Sequence, residues 1–232
     1  MGCNYSVILW DVDDTLLDFP YSQRYALTKC FQTAGLEITE EQIQRYKQIN
    51  DDYWKRLELG EVTKKELLTG RFSALFSEYG IESIDVEAFR QEYQEALGSV
   101  FRFHDDALTI CKSLQGKIGQ YVITNGVSST QRSKLKLSGI MDVMDGIFIS
   151  EEMGCHKPQK EFFDSCLERI GAKDRSKVLI VGDSLSSDIK GGIQSGIPTC
   201  WYHSGEKENN TLWKPDYEIC DLHMIYDILG GF

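Results

Sequence analysis

The chain has no surplus of positive charge. Its 25 Lys and Arg stand against 36 Asp and Glu, a formal net charge of −11. That excludes a protein that tracks nucleic-acid backbones, which needs a basic face to displace counterions. A small phosphorylated substrate remains allowed, because a local pocket can be positive on an acidic protein. Long apolar runs are missing too. Val7–Trp10 and Val178–Val181 are among the longest, far short of the ~20 residues that span a bilayer. No charged segment precedes a signal-like run, so no membrane association is expected. The seven cysteines (3, 30, 111, 155, 166, 200 and 220) include no CxxC pair and no metal-ligand spacing. Their odd number in a chain of this size argues against a disulfide framework and for buried thiols in a reducing, cytoplasmic compartment. The opening "MGCNYS" fits an acylation pattern. A strand beginning near Val7 leaves it almost no tether, so lipidation is not expected.

No repeat, low-complexity tract or Pro/Gly-rich linker breaks the 232 residues; 41% are apolar and 26% charged, enough for a real core. The texture changes along the chain. Residues 7–11 read as a short buried strand. From 18 to 98 the pattern is helical, near 21–34, 39–58, 63–79 and 85–98. Ile43, Tyr46, Ile49, Tyr53 and Leu57 fall on helical spacing, and Thr63 with Glu66 makes a capping box. After 104, helices and strands alternate: helix 105–115, strand 118–123, helix 128–138, strand 146–149, helix 159–170, strand 177–182, helix 187–195, strand 197–202, strand 216–219 and helix 221–229. Such alternation predicts an α/β fold, a Rossmann-like parallel sheet covered on both faces. The core is expected over 1–17 and 99–232, with an inserted all-helical domain over 18–98.

Ligands of open α/β sheets bind at the carboxyl ends of the strands, and there the polar residues gather. The first strand ends in Asp11-Val12-Asp13, with Asp14 next. The second ends in Thr124-Asn125-Gly126. A loop after the third holds His156-Lys157-Pro158, and the fourth ends in Gly182-Asp183 with Asp188 five residues on. Each side chain alone has an ordinary explanation as a helix cap or a solvated loop residue. Together they make a different case, because the sheet brings them to one crevice. Asp11, Asp13 and Asp183 are hard oxygen donors without a His/Cys set, which suits Mg²⁺ better than zinc. A divalent cation would also relieve the crowding of carboxylates at one strand tip. Thr124 and Lys157 offer a hydroxyl and a fixed positive charge for a phosphoryl group. A carboxylate nucleophile that forms an aspartyl-phosphate is a known covalent strategy.

Asp11-Val12-Asp13-Asp14-Thr15, Thr124-Asn125-Gly126, Lys157-Pro158 and Gly182-Asp183-Ser184 through Asp188 resemble, in order and separation, the four motifs of the haloacid dehalogenase (HAD) superfamily. The helical insert resembles its C1 cap. The resemblance implies Asp11 as nucleophile and Asp13 as general acid and then base. It implies Thr124, Lys157 and the backbone of Asn125 as phosphoryl-binding groups. Asp183, a side-chain oxygen of Asp11 and the backbone carbonyl of Asp13 would ligate Mg²⁺, with Asp188 holding Lys157 or a metal-bound water. Asp14 and Thr15 would organise the loop. The family's dehalogenases lack an aspartate at the position of Asp13, so phosphate ester hydrolysis is favoured over C–halogen cleavage. The stretch from Ile123 to Gly171, with its TNG, Q-x-x-K-L and ISE-x-x-G-x-x-KP elements, resembles the pyrimidine 5′-nucleotidase branch. "LELGEVTKKELLTGRF" in the insert is similar to the same branch. Trp10 stands where that family usually has phenylalanine, a change of packing only.

The expectation is therefore a Mg²⁺-dependent cytoplasmic phosphatase acting on a small phosphorylated metabolite, a pyrimidine nucleoside monophosphate, as a monomer or small homo-oligomer. Two alternatives stand beside it. One is a phosphatase or phosphomutase of a small sugar phosphate, and the other a non-catalytic HAD-like binding protein. Within the insert, Phe19, Tyr21, Trp54 and Phe72 are candidates to line a substrate pocket, while most other aromatics are expected to build the helical core. Arg71 and Lys64 are candidates to steer the phosphate, with a solvated helix face the favoured reading. His104 and His156 lack a ligand set, and the run from Gly205 to Asn210 reads as a surface loop.

Overall fold

The computed structural model describes residues 4–203, 205 and 208–230. Residues 1–3 of the acylation pattern and residues 206–207 of the 205–210 loop lie outside these residues. The chain forms two compact units, one of residues 1–19 and 101–232, the other of residues 20–100.

Along the chain run β1 (Val7–Trp10), α1 (Phe19–Thr33), α2 (Glu40–Glu58), α3 (Lys64–Glu78), α4 (Val86–Leu97), α5 (Ala107–Leu114), β2 (Gly119–Thr124), α6 (Ser128–Ser138), β3 (Gly146–Ile149), α7 (Ser150–Met153), α8 (Lys160–Ile170), β4 (Val178–Gly182), α9 (Lys190–Ser195), β5 (Thr199–Tyr202), β6 (Tyr217–Ile219) and α10 (Ile225–Leu229). The strands form one six-stranded sheet in the order β3-β2-β1-β4-β5-β6. Every pairing is parallel.

Successive side chains of a strand point to opposite faces, and β1 and β4 show the consequence. Ile8, Trp10, Leu179 and Val181 join one apolar cluster with Ala107, Ile110 and Leu114 of α5. Leu9, Val178 and Ile180 join another with Phe162, Phe163 and Cys166 of α8. Both faces are covered, so these strands read as unbroken apolar runs. Trp10 satisfies its indole N–H by donating to Gln120 Oε1 at 3.2 Å; the Gln120 amide in turn donates to Cys111 O at 2.9 Å.

Register fixes where the polar strand ends fall. Trp10 lies level with Val122 on one side and Val181 on the other. Asp11 follows immediately and donates its N–H to Val181 O at 2.9 Å. The chain runs outward from β1 through β2 to β3 and then crosses back to add β4, β5 and β6 on the other side of β1, so the gap between β1 and β4 is the sheet's topological switch point.

In the helical unit, α2 and α3 begin with capping boxes, Thr39 with Gln42 and Thr63 with Glu66, and Asp85 caps α4. The core is aromatic. Phe72 stacks on Tyr46 with centroids 5.3 Å apart and meets Phe89 and Tyr93 edge-on at 5.2 and 5.0 Å. Its side chain is fully buried, which corrects its assignment to a substrate pocket: Phe72 is a core residue. Arg71 is another correction, since it is buried rather than on a solvated face. Tyr21 is exposed, and Trp54 is half-buried.

Smaller departures concern the sheet side. The helix expected over 187–195 opens with a wide π-type turn, Leu185–Ile189, before α9. The last helix opens with a 3₁₀ turn, Leu222–Met224. The short helix α7 was not anticipated. No helix of the described residues is long and apolar enough to cross a membrane. Cys30, Cys111, Cys166 and Cys200 are buried free thiols. Replacing Phe72 by Ala should cost about 3–5 kcal/mol, the range for truncating a core aromatic. Chemical denaturation of the purified variant checks this, and a loss under 1 kcal/mol would speak against its core role.

Candidate active site

Lys157 is the centre of the site. Its Nζ donates to Asp11 Oδ1 at 2.5 Å, to Asp188 Oδ1 at 2.7 Å and to the carbonyl of Ile123 at 3.1 Å, so its donors are used. The loop carrying it is pinned from the next strand end. Asn125 Nδ2 donates to Lys157 O at 2.8 Å, and Lys157 N donates to Asn125 Oδ1 at 3.0 Å. The Asn125 side chain thus holds the lysine loop. Thr124, also buried, accepts from Gly126 N at 3.0 Å.

Asp188 reaches Lys157 because Gly182 leaves room. A Cβ on Gly182 would come within 2.4 Å of the Asp188 carboxylate. The second oxygen of Asp188 accepts from Ser184 N at 3.2 Å. Carboxylate oxygens of Asp11, Asp183 and Asp188 all lie within 4.8 Å of one another. Three oxygen donors with no His or Cys among them fit a hard divalent cation rather than zinc. The Asp13 side chain is not part of this set.

The electrostatics carry the same message. Burial is the largest influence on Asp11 and raises it, Lys157 pulls it down, Asp188 and Asp13 add to the rise, and the group is pushed up to about 7. Burial opposes the Lys157 charge, but Asp11 and Asp188 outweigh it and hold the ammonium above its usual range. One buried ammonium therefore serves two carboxylates, with Asp183 close by. The deficit is one of positive charge.

The three acidic residues of the first loop face different partners. Asp14 takes a left-handed conformation, φ 64°, which Asp tolerates better than most residues. Its Oδ1 accepts from Phe19 N at 3.3 Å and lies 3.4 Å from His104 Nε2. Thr15 Oγ1 donates to Asp11 Oδ2 at 3.2 Å. Asp13 turns to helix α6: Lys134 Nζ donates to Oδ1 at 2.6 Å, and Gln131 Nε2 donates to Oδ2. Lys134 is wholly buried, with its ammonium 5.5 Å from the Phe19 ring centroid. Gly126 clears the path, since a Cβ there would meet Gln131 Nε2 at 2.1 Å.

Asp11, Lys157, Asp183 and Asp188 thus stand together, Thr124 and Asn125 line the neighbouring strand end, and Asp13 sits in a clamp of its own. Gln131 and Lys134 were not singled out as site residues. Their Q-x-x-K spacing was visible, but spacing on a helix does not say what the face meets.

A family model described as haloacid dehalogenase-like hydrolase matches residues 5–196. The chain belongs to this family. It is 40% identical to the HAD-hydrolase YfnB of Bacillus subtilis, over 97% of this chain and 96% of that protein. A crystal structure of YfnB bound to magnesium superposes with a TM-score of 0.93 at 39% identity, covering 98% of this chain and 99% of that one. The chain is also 34% identical to the pyrimidine 5′-nucleotidase PynA of Streptococcus pneumoniae, over 97% of this chain and 95% of that one. To the pyrimidine 5′-nucleotidase YjjG of Escherichia coli it is 33% identical over 96% of each chain.

If the three carboxylates hold a divalent cation, Mg²⁺ should raise the thermal midpoint, and Asp183→Asn should remove most of the gain. At a concentration 100 times the Kd the stabilisation is about 2.7 kcal/mol. Thermal unfolding with and without Mg²⁺ checks it, and an equal shift in Asp183→Asn would remove Asp183 from the donor set.

Proposed function

We propose that the protein is a Mg²⁺-dependent phosphomonoester hydrolase that cleaves pyrimidine nucleoside 5′-monophosphates through a phosphoryl group carried on Asp11. The carrying observation is the joining of Asp11, through Lys157, to a carboxylate set that suits a divalent cation, with Asp13 two residues on. The substrate class is supported by similarity over nearly the whole chain to two relatives named as pyrimidine 5′-nucleotidases.

In the first step a carboxylate oxygen of Asp11 attacks phosphorus. The bond to the ester oxygen breaks, and that oxygen takes a proton from Asp13. In the second, Asp13 takes a proton from water as the water oxygen attacks phosphorus, which frees inorganic phosphate and restores the Asp11 carboxylate. Lys157 and Thr124 bind the transferring phosphoryl oxygens. Of the carboxylate cluster, Asp11 and Asp183 with the backbone carbonyl of Asp13 would hold Mg²⁺, and Asp188 beside them would reach it through a bound water; the ion would supply positive charge to the phosphoryl group and the crowded carboxylates. Asp188 keeps Lys157 in position, and Thr15 orients Asp11 from its other oxygen. Gln131 and Lys134 hold the Asp13 carboxylate in one place between its two proton transfers.

Asp11→Asn should abolish phosphate release without unfolding the protein; appreciable turnover would sink the nucleophile assignment. The same assay, run on nucleotides against sugar phosphates, tests the substrate class. A preference for pyrimidine nucleoside monophosphates is expected, and a preference for sugar phosphates would replace it.

Lys134→Met should lower kcat for a nucleotide, by part of the roughly 10²–10⁴-fold that acid–base help provides. The loss should be smaller for p-nitrophenyl phosphate, whose leaving group needs less protonation, and it should largely vanish in an Asp13→Asn background. An equal loss on both substrates, undiminished in that background, would leave Lys134 with a structural role alone.

A further inference from the structure

A tryptophan with no part in the reaction above is bonded to the backbone of a residue that has one. Trp201, on β5, is 2% exposed. Its neighbours Cys200 and Tyr202 join the apolar cluster that includes α5, so strand alternation turns the indole to the opposite face. There its Nε1 donates to the backbone carbonyl of Asp183 at 2.8 Å. The pairing of β4 with β5 ends at Gly182, opposite Trp201. Asp183 lies one residue past that end, where a side chain takes over from the strand ladder.

That carbonyl belongs to the peptide plane joining Asp183 to Ser184, and the plane is tied at its other end as well. Ser184 N donates to Asp188 Oδ2 at 3.2 Å. Two side chains, one from β5 and one from the turn that follows β4, therefore fix one rigid plane. The anchoring matters because of the residue before it. Position 182 is a glycine that makes room for Asp188, and glycine leaves the backbone free to take many directions. Asp183 follows that joint, with a carboxylate oxygen within 4.8 Å of those of Asp11 and Asp188. Like charges this close repel, and a loosely held loop would relax by swinging one of them away. The indole is itself held. Its ring centroid lies 4.5 Å from that of His203, whose Nε2 is 3.1 Å from Glu218 Oε1.

We propose that Trp201 is a positioning residue for the cation: it holds the Asp183–Ser184 peptide so that the Asp183 carboxylate is in place before the ion arrives. The inference rests on the reading of Asp183 as a Mg²⁺ ligand. Groups that orient metal ligands from behind change metal affinity by roughly 10–100-fold when they are removed. Here the bond reaches the ligand through its backbone rather than its carboxylate, so the lower end of that range is expected. A bond that only stabilised the sheet would have a different signature. Its loss would lower the unfolding temperature with and without Mg²⁺ alike, and excess Mg²⁺ would not compensate for it.

Thermal unfolding and calorimetric titration with Mg²⁺ test this on wild type, Asp183→Asn, Trp201→Phe and Leu229→Ala. Leu229 is a buried residue of α10, and its truncation loosens the same unit without removing the indole donor. If Asp183→Asn binds Mg²⁺ as wild type does, the reading of Asp183 falls and this inference with it. Where Asp183→Asn binds weakly, Trp201→Phe becomes decisive, because it keeps an aromatic ring and loses the donor. Its Kd for Mg²⁺ should rise about tenfold, and excess Mg²⁺ should restore kcat close to the wild-type value. Leu229→Ala should lower the unfolding temperature and leave the Kd unchanged. Should Trp201→Phe not fold, benzothienylalanine at position 201 keeps the ring system with sulfur in place of the N–H, and the same rise is expected. An unchanged Kd on loss of the donor, or an equal rise in Leu229→Ala, would overturn the inference alone and leave the Mg²⁺ site standing.

Discussion

Everything at the sheet edge depends on one ammonium between two carboxylates. Burying Lys157, Asp11 and Asp188 removes three charges from water, a cost repaid only if each finds partners of good geometry. Here each does: the lysine also donates to Ile123 O, Asp188 accepts from Ser184 N, and Asp11 accepts from Thr15. The backbone must then deliver each group within a few tenths of an ångström. β1 and β4 are adjacent and in register, Gly182 lacks the side chain that would block Asp188, and the Asn125 amide grips the lysine loop by both its N–H and C=O. The fold is in this sense a device for holding one cation against two anions.

That constraint explains why neighbouring acidic residues of the first loop take separate parts. Two carboxylates on one lysine already exceed what it can neutralise; burial does most to raise Asp11, and the Asp188 charge adds to that rise. A third facing the same way would add repulsion without a partner. Asp13 is drawn off to α6, where a second buried lysine and a glutamine take both its oxygens, and Asp14 folds back on the Phe19 amide. Helix α6 therefore serves two purposes. Leu135 packs in the apolar core while Gln131 and Lys134 reach the strand tip.

Much of this was legible in residue order. Strands buried on both faces leave short unbroken apolar runs, so β1 and β4 announced themselves, and the acidic and Thr-Asn residues that ended them stood out by contrast. Capping chemistry is local, and the Thr63–Glu66 box could be read from a spacing of three. Other features depend on what a helix faces, which its own period does not encode. Lys134 on α6 looks like any solvated lysine until Asp13 is seen opposite it. Phe72 and Arg71 are consecutive on α3, so a helical wheel places them about 100° apart, and the reading that put Phe72 in a pocket and Arg71 in solvent was a natural one. In the structure both point into the same aromatic interior.

The aromatic interior of the helical unit is itself an argument about function. An all-apolar core would have been simpler to build, and replacing buried charged groups with packed hydrophobic ones often leaves a protein as stable or more so. A small four-helix unit has little stability to spare for an uncompensated guanidinium. Keeping Arg71 with only Asn50 for a hydrogen-bond partner costs stability that its aromatic contacts offset in part. Selection tolerates such a loss where the group contributes something when the protein works. The core's Lys157 is charged, buried and fully partnered, as suits a residue whose task is to be in position before substrate arrives. Arg71 is charged, buried and only partly hydrogen-bonded, and the rings of Phe72, Tyr93 and Tyr46 set around its guanidinium offset part of what the single bond to Asn50 leaves.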